Sequence, residues 1–323
     1  MKDWALKYRP QRLVDLVGQD RNKEILTDLV NSANLYNAMI FYGRSGCGKT
    51  TTARILVNEL QAELIELDAA SNNGVDDARV IKDIAGKLAL TGKRKIIIID
   101  EAHMLSKAAW NALLKTIEEP NDKTHFIFCT TEYAGIPLTI RGRCRMFKFY
   151  GIQSDVMLEH AKQVLQQEKA ELNDDCIELI IKEANGQMRD MLISLQTAVN
   201  SNLTTKEKFS KYRGIPSTTG MGAYIEGVLD SKKSKQATTS LKNIECDIFE
   251  WKTRLERLIY EALEDHYGLG EMNGTLQFTK KMKDMITQHG VKKFGKLLDK
   301  LIRITQSEKA FMQLYTLAQI GVE

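Results

Sequence analysis

The stretch from Gly43 to Thr50 constrains the fold of this chain more than any other part of the sequence. It reads Gly-Arg-Ser-Gly-Cys-Gly-Lys-Thr and fits the phosphate-binding loop (P-loop) pattern G-x-x-x-x-G-K-[ST]. The apolar run at 39–42 predicts a buried parallel strand before the loop, and apolar residues at helical spacing over 51–60 predict a helix after it. A strand, a glycine-rich loop and a helix in this order indicate an α/β domain that binds the phosphates of a nucleoside triphosphate.

The P-loop residues have distinct expected roles. Glycines let the backbone curl so that successive N–H groups face the phosphates. Lys49 would hold the β and γ phosphates, and the Thr50 hydroxyl would bind Mg²⁺. Cys47 is either a reactive thiol near a helix N-terminus or, as we favour, a small residue that fits the loop. The residues of this segment expected to contact the nucleotide are Gly43, Ser45, Gly46, Cys47, Gly48, Lys49, Thr50 and Thr51.

A second motif follows a run of four isoleucines at 96–99. Such a run predicts a strand that is buried on both faces. It ends in Asp100 and Glu101, as a Walker B element does. Asp100 would reach the Mg²⁺ shell, and Glu101 is placed to orient or polarise the attacking water. Both motifs then lie at the carboxyl ends of parallel strands, where open α/β sheets bind ligands.

Composition narrows the class of protein. A chain of 323 residues should hold two or three domains, and its five cysteines form no C-x-x-C pair that would suggest a zinc site. No hydrophobic run approaches the length of a membrane span and the start does not read as a signal peptide, so we expect a cytoplasmic protein with no membrane partner. The net charge of +4 permits nucleic-acid binding without establishing it.

Several further motifs carry a resemblance to a known family. They lie at 7–10, 17–19, 68–72, 100–105, 111–120, 130–132 and 143–144. Together with the P-loop they resemble the bacterial clamp-loader ATPase subunits, the gamma/tau family of DNA polymerase III.

The resemblance implies a fold, ligands and partners. The fold is an AAA+ P-loop core of α/β class with a parallel sheet over 1–150, a small helical lid over 151–205, and an all-α collar over 206–323 for oligomerisation. Such subunits bind ATP and Mg²⁺. With other loader subunits they form a five-membered ring, which opens a sliding clamp and closes it on primer-template DNA.

The resemblance also implies roles for residues outside the P-loop. Thr131 falls at the sensor-1 position and would hydrogen-bond the γ-phosphate or its water; otherwise it is a strand-end threonine that satisfies local backbone. Arg189 resembles the sensor-2 arginine, carried on the lid and reaching the phosphates in cis; otherwise it is a solvated arginine paired with a carboxylate. The residues implied to line the adenine pocket are Tyr8, Arg9, Pro10, Val17 and Gly18.

Arg143 resembles the arginine finger of the family's Ser-Arg-Cys motif. Such a finger completes a neighbouring subunit's ATP site in trans by neutralising transition-state charge. Here Gly142 replaces the serine. Because Arg141 and Arg145 flank the motif, the choice among three arginines rests on the resemblance alone.

DNA contacts are expected to be to phosphates, because a loader must act at any primer junction. The segment 71–79 fits a capped helix N-terminus at which Asn73 and Arg79 could track a backbone, although a plain helix cap is an equal reading. Lys115 is a candidate for linking DNA contact to Glu101, and a solvated lysine is an equal alternative.

The rest of the chain predicts helices. Apolar spacing indicates helices over 152–200 and again from 223 onward. The turn-rich stretches 201–205 and 214–220 would separate lid from collar. In the collar, two apolar stripes predict core positions: Trp251, Leu255, Leu258 and Ile259, then Leu297, Leu298, Leu301 and Ile302.

The chain departs from the family in two ways. The four-cysteine zinc module usual after the P-loop helix is absent, because 59–63 runs almost directly into the strand-like 64–67. The chain also stops at Glu323, which leaves no room for a long tau-type tail. We therefore expect a shortened relative, for which a phage or an unusual genome is one candidate source.

Three other functions are considered. A helicase would need two RecA-like domains, and only one P-loop domain is readable. A branch-migration motor would end in a winged DNA-binding domain, and the tail offers no basic strand-turn-strand pattern. A non-hydrolysing subunit of the same ring is disfavoured by the intact Lys49, Thr50, Asp100 and Glu101.

Overall fold

The computed structural model describes residues 3–89, 94–121, 123–215, 218–242, 244, 247–269, 276–304 and 310–321. The chain forms two compact units, Met1–Lys206 and Glu207–Glu323. The finer division at 150/151 and 205/206 stays a prediction. In the part of the chain that the structure describes, no helix is long and apolar enough to cross a membrane.

The first unit is built on a five-stranded sheet in which every neighbouring pair of strands is parallel. This confirms the predicted parallel sheet and its strands at 39–42, 64–67 and 96–99. The strand order across the sheet is β2-β3-β4-β1-β5. The strands are β1 (Ala38–Gly43), β2 (Glu63–Asp68), β3 (Lys95–Asp100), β4 (Thr124–Thr130) and β5 (Arg145–Phe149).

Helices cover both faces of this sheet, and three more follow the last strand. The helices of the first unit are α1 (Trp4–Lys7), α2 (Asp20–Asn31), α3 (Lys49–Glu59), α4 (Val75–Gly86), α5 (Lys107–Glu118), α6 (Leu138–Arg141), α7 (Ser154–Glu168), α8 (Asp174–Ala184) and α9 (Met188–Asn200).

The isoleucine run of β3 shows why the sheet needs two helical layers. Successive side chains of a strand point to opposite faces. Ile96 and Ile98 accordingly belong to the core cluster that α2 and α3 complete. Ile97 and Ile99 belong to the cluster that α4 and α5 complete. All four are almost fully buried, as the sequence predicted.

Glycine at the end of β1 lets the chain pass close to β5. Gly43 has φ +151°, and a Cβ built there would lie 2.1 Å from the carbonyl oxygen of Phe149. Any side chain would therefore meet backbone that belongs to the neighbouring strand. The P-loop starts from this close approach.

The helices α7, α8 and α9 pack on one another, and backbone hydrogen bonds join them to the segment after β5 and to the P-loop. The N–H of Ile152 donates to the carbonyl of Gly186 at 2.9 Å, and the N–H of Met188 donates to the carbonyl of Gly46 at 3.1 Å. At the far side, α1 packs on α9 through the buried Trp4, whose N–H donates to Oε1 of Gln196 at 3.0 Å. The start of α9 is thereby held against the P-loop.

Every regular element among the described residues of the second unit is a helix, as predicted for the collar. Its helices enclose one apolar core, in which the Tyr224 hydroxyl donates to the Leu314 carbonyl at 3.0 Å. They are α10 (Lys206–Arg213), α11 (Thr218–Leu229), α12 (Ser234–Lys242), α13 (Ile248–His266), α14 (Leu276–His289), α15 (Val291–Ile302) and α16 (Ala310–Ile320).

Most predicted core positions of the second unit are confirmed. Trp251, Leu255 and Ile259 are buried on α13, and Leu297 and Leu301 are buried on α15. Leu258 and Leu298 are half-buried at the edge of the same core. The prediction was wrong for Ile302, which is 62% exposed because it follows Leu301 by one residue and so points about 100° around the helix.

The predicted turn at 214–220 is only partly described. Pro216 and Ser217 lie outside the described residues, and α11 already begins at Thr218. The end of that stretch is therefore helical, where the turn-rich composition predicted a turn.

We expect Gly43→Ala to lower the free energy of unfolding by about 2 kcal/mol or more, because the new methyl group would collide with the Phe149 carbonyl and φ is unfavourable for alanine. Gly142→Ala is the matched control, since its Cβ would make only an ordinary 3.6 Å contact. Thermal unfolding of both variants measures the difference. Equal stability of the two would contradict the close approach.

Candidate active site

The P-loop holds a buried positive charge. Lys49, the first residue of α3, is 6% exposed, and its Nζ donates to the carbonyl oxygens of Gly43 at 2.9 Å and Arg44 at 2.8 Å. Burying an ammonium group is costly unless it is hydrogen-bonded. Both recorded partners are neutral, so the charge of Lys49 stays available to an anion.

Thr50 and Asp100 meet at the carboxyl edge of the sheet. The Thr50 hydroxyl donates to Oδ2 of Asp100 at 2.9 Å. Thr50 follows β1 and Asp100 ends β3, so the parallel sheet brings together residues fifty positions apart. A hydroxyl and a carboxylate are oxygen ligands of the kind that Mg²⁺ prefers. The donor set at this point therefore fits the expected metal.

Glu101 has a strained backbone. Its φ of 45° and ψ of 43° place it in the left-handed region, which costs a non-glycine residue about 1–2 kcal/mol. Its N–H donates to Oδ1 of Asp100 at 3.0 Å, and its carbonyl accepts the N–H of Met104 at 2.9 Å. Strain of this kind is often found at functional sites.

The Glu101 carboxylate lies beside the predicted sensor. The Thr131 hydroxyl donates to Oε2 of Glu101 at 2.9 Å. Thr131 directly follows β4, which lies between β1 and β3 in the sheet. The structure therefore brings Thr131 into contact with the carboxylate predicted to position water, and its hydroxyl is not used to satisfy local backbone.

Arg189 lies next to the P-loop at the start of α9. A Cβ built on Gly46 would be 3.5 Å from the Cβ of Arg189. Burial, together with the positive charges of Arg54 and Arg189, lowers the pKa of Arg9. Arg54 is paired with Glu66, whereas Arg189 forms no ion pair with any residue that the structure describes. Uncompensated guanidinium charge beside a phosphate-binding loop favours an anionic ligand.

Two of the predicted adenine-pocket residues line a cleft beside α3. Arg9 and Pro10 form one side of a cleft of 240 Å³, and Thr51, Arg54, Ile55, Asn58 and Leu64 are among its other lining residues. Tyr8 is not among the residues that line this cleft. Its hydroxyl donates to Oε1 of Glu168 at 2.6 Å. Lys7 donates to the same oxygen, and the two hydrogen bonds lower the pKa of Glu168.

Gln19 follows Val17 and Gly18, and sequence reasoning assigned no role to it. Nε2 of Gln19 donates to the Cys47 carbonyl at 3.2 Å and to the Tyr150 carbonyl at 2.6 Å. Gln19 thus ties the P-loop to the end of β5. Its left-handed φ of 57° could not be read from the sequence, so only its place in a motif could have indicated it.

The Cys47 thiol is buried and donates to the Arg44 carbonyl at 2.8 Å. Burial raises its pKa, which favours the unreactive thiol over the thiolate. Of the two readings of Cys47, the structure supports the small residue that fits the loop. Ser45 lies between Arg44 and Gly46 in the same loop, and Gly48 has φ +103°.

Comparison with known proteins shows similarity to subunits of DNA polymerase III. The family described as DNA polymerase III, delta subunit, matches residues 61–153. The gamma/tau subunit of DNA polymerase III from Mycoplasma genitalium is 36% identical over 228 residues, which are 63% of this chain and 38% of that protein. The tau subunit from Bacillus subtilis is 36% identical over 217 residues, 60% of this chain and 38% of that one.

Over this segment the chain is gamma/tau-like. The tau subunit of Escherichia coli is also similar, at 33% identity over 61% of this chain and 34% of its own length. The chain thus spans less than half the length of these curated relatives. The predicted resemblance is confirmed for the matched segment.

Solved structures agree on the fold. A RuvB Holliday junction branch migration motor from Thermotoga maritima aligns with a TM-score of 0.55 at 18% identity, over 95% of this chain and 98% of that one. A variant form of the same protein gives a TM-score of 0.56. At such identity the likeness concerns the fold alone. It confirms the predicted α/β domain with a parallel sheet, followed by a helical region.

The gamma/tau-like motif at 143–144 precedes β5 and lies at the amino-terminal ends of the strands. The P-loop lies at their carboxyl ends. In the parallel pair of β1 and β5, Met39 pairs with Arg145 and Gly43 pairs with Phe149. Four residues of strand separate these pairs, which is about 13 Å, and Arg143 lies beyond the far pair. Arg143 is therefore distant from the phosphate site of its own chain.

Each of the three neighbouring arginines has a partner. Arg143 is paired with Glu118 at the end of α5, and its guanidinium also donates to the Thr139 carbonyl at 2.7 Å. Arg141 donates to the Ile136 carbonyl and packs on the Tyr133 ring, and Arg145 lies over the ring of Tyr36. Arg143 and Glu118 remain 38% and 43% exposed, so this pair is a weak, exchangeable one.

The residues predicted to contact DNA are exposed on or next to α4 and α5. Asn73 precedes α4, and Arg79 on that helix is paired with Asp76 at 2.7 Å. Asp77 accepts the N–H of Gly74, so the first turn carries two carboxylates that oppose a phosphate there. Lys115 is exposed on α5, and no contact between it and Glu101 is present among the described residues. The three DNA contacts stay predictions.

We expect Lys49→Ala to weaken nucleotide binding about tenfold or more, because a buried charge-assisted contact is lost. Glu101→Gln should keep nucleotide affinity and lose turnover by about 10²-fold or more, because an amide does not take the proton of water. Equilibrium titration with a fluorescent ATP analogue and steady-state hydrolysis measure the two effects.

The matched controls for these substitutions are Lys82→Ala and Glu119→Gln, which alter exposed side chains on or next to α4 and α5. Both should behave as the wild type. Unchanged turnover in Glu101→Gln would remove Glu101 from the reaction.

Proposed function

We propose that this chain is the ATPase subunit of a sliding-clamp loader of a DNA polymerase. The observation that carries the proposal is the hydrogen bond between Thr50 and Asp100, which joins the P-loop to the acidic strand end in a gamma/tau-like chain. It supports an intact hydrolytic site. The loader assignment rests on the named relatives, and ATP is the substrate that it implies.

The residues present support binding of ATP with Mg²⁺. Lys49 and the P-loop amides would hold the phosphates, and Thr50 and Asp100 would hold the metal. Bound Mg²⁺ would neutralise the charge that develops on the phosphate oxygens. Arg189 would add a positive charge from α9 in cis. Arg9, Pro10 and Thr51 would take the base side of the nucleotide, at the cleft they line.

Glu101 would position the attacking water in this site. Its carboxylate lies at the carboxyl edge of the sheet, and Thr131 holds one of its oxygens. The other oxygen can accept a hydrogen bond from water. Thr131 could also reach the γ-phosphate, and these two uses of one hydroxyl compete.

Arg143 would act on the nucleotide of a neighbouring subunit. Its place at the edge of the sheet opposite the P-loop supports a role in trans. To reach a phosphate, Arg143 must break its ion pair with Glu118. Because both side chains are partly exposed, breaking this pair costs little free energy. The ring that this requires would have five members, with other loader subunits among them.

The partners of such a subunit would be the sliding clamp and primer-template DNA in the cytoplasm. Contacts with DNA would be to phosphates and would not depend on sequence. A DNA motor of the branch-migration or helicase type is the alternative. The relatives named as DNA polymerase III subunits, at 33–36% identity, support the loader more strongly than structures at 18% identity support the motor.

We expect Arg143→Ala to leave the variant's own nucleotide affinity unchanged while hydrolysis falls about tenfold or more. Mixing it with Lys49→Ala subunits should restore part of the activity at interfaces where an intact finger faces an intact P-loop. Arg145→Ala, which removes a flanking arginine, is the matched control. A finger that acts in cis would show no rescue on mixing.

We further expect ATP hydrolysis by the assembled complex to be slow alone and to rise when clamp and primer-template are added together, because each favours the ring arrangement in which Arg143 meets phosphate. The stimulation should fall with added salt and should not depend on primer sequence. Steady-state ATPase assays with clamp, with DNA and with both measure it. Full stimulation by plain duplex without clamp, or unwinding of DNA, would favour the motor.

A further inference from the structure

His103 lies beside the catalytic carboxylate in a fixed position. Its Nδ1 is 3.1 Å from Oγ1 of Thr130 and 3.3 Å from Oε2 of Glu101. The side chain is only 17% exposed. Gly135 packs against it so closely that a Cβ there would come within 2.8 Å of the His103 Cβ. The ring therefore has little freedom to move away from Glu101.

The hydrogen bonds around Thr130 determine which ring nitrogen carries the proton. The Thr130 hydroxyl donates its single proton to the Glu132 carbonyl at 3.1 Å and accepts the N–H of Glu132 at 3.0 Å. It can therefore only accept from His103. An ionised carboxylate also only accepts. Since both oxygens next to Nδ1 are acceptors, Nδ1 must carry the hydrogen.

One oxygen of Glu101 thus faces three donors. Oε2 accepts from the Thr131 hydroxyl at 2.9 Å and from the Thr131 backbone N–H at 3.4 Å, and it lies 3.3 Å from Nδ1 of His103. A hydroxyl has one proton, so Thr131 can donate to Glu101 or to a γ-phosphate, but not to both. When the Thr131 hydroxyl turns to phosphate, the His103 Nδ1–H is the side-chain donor that remains on Oε2, beside the longer contact from the Thr131 backbone N–H.

We propose that His103 is a positioning residue for Glu101. Its Nδ1–H holds Oε2 while Thr131 serves the γ-phosphate, so that the other carboxylate oxygen stays directed to the attacking water. The role rests on the proposed ATPase function. It requires the Nδ1–H form of the ring, and it acts on turnover while leaving nucleotide binding unchanged.

The side-chain amides of asparagine and glutamine separate the two ring nitrogens. The amide nitrogen of asparagine stands near the place of Nδ1, and that of glutamine near the place of Nε2. His103→Asn should keep kcat within about threefold of wild type, whereas His103→Gln and His103→Ala should lose about tenfold or more, the effect of one hydrogen bond to a charged group. Nucleotide affinity and KM should not change in any of the three.

A double variant tests whether His103 acts through Glu101. In single-turnover experiments on the full chain, Glu101→Gln with His103→Gln should hydrolyse ATP no more slowly than Glu101→Gln alone, because interacting residues are not additive. A further tenfold loss in the double variant would overturn the proposal, as would equal kcat in His103→Asn and His103→Gln.

The tautomer can be measured on the wild-type chain without any substitution. A nitrogen-15 NMR spectrum of the His103 ring should show hydrogen on Nδ1, and hydrogen on Nε2 alone would overturn the inference. This result stands whether or not the chain hydrolyses ATP. If wild type hydrolyses ATP but His103→Gln matches it, the positioning role fails and the ATPase proposal stands; no hydrolysis by the wild-type complex with clamp and DNA would defeat the ATPase proposal.

Discussion

Burial of β3 on both faces is the constraint on which the rest of the first unit depends. Its four isoleucines alternate between two core clusters, and each fully buried side chain stabilises the fold by about 1.5–3 kcal/mol. A strand with two apolar faces needs a helical layer on each, which α2 and α3 supply on one side and α4 and α5 on the other. The polar residues that end this strand, Asp100 and Glu101, can therefore lie only at the edge of the sheet.

The parallel register then assembles the site at that edge. Tyr42 of β1 pairs with Thr130 of β4, so the P-loop and the threonine pair 130–131 begin at the same level. Asp100 reaches the P-loop across β4 and accepts the Thr50 hydroxyl. Arg143 lies at the amino-terminal ends of the strands. One sheet therefore carries the P-loop at one end of its strands and Arg143 at the other. This separation supports the proposed action of Arg143 on the nucleotide of another molecule.

Polar contacts between residues that are far apart in the chain hold the parts of this site together. Gln19 joins the P-loop to the end of β5, and the backbone bond from Met188 to Gly46 attaches α9 to the P-loop. Glu101 sits in a strained backbone conformation and shares one oxygen between Thr131 and His103. Low exposure makes such contacts stronger than they would be in water. They link the carboxylate proposed to position water to the groups that would sense the γ-phosphate.

The sequence by itself determined the strands at 39–42, 64–67 and 96–99, the P-loop and the acidic strand end. Each of these depends on a short run of neighbouring residues, such as the glycines and lysine of 43–50 or the isoleucines of 96–99. It also determined the gamma/tau-like resemblance. Only the tertiary structure decided that Tyr8 binds Glu168, that Arg143 pairs with Glu118, that Ile302 faces outward and that the His103 ring contacts Glu101 and Thr130. Most of these depend on residues far apart in the chain, on the rotation of a helix or on which acceptors surround a ring. No local pattern encodes such contacts, since they arise from how the elements pack.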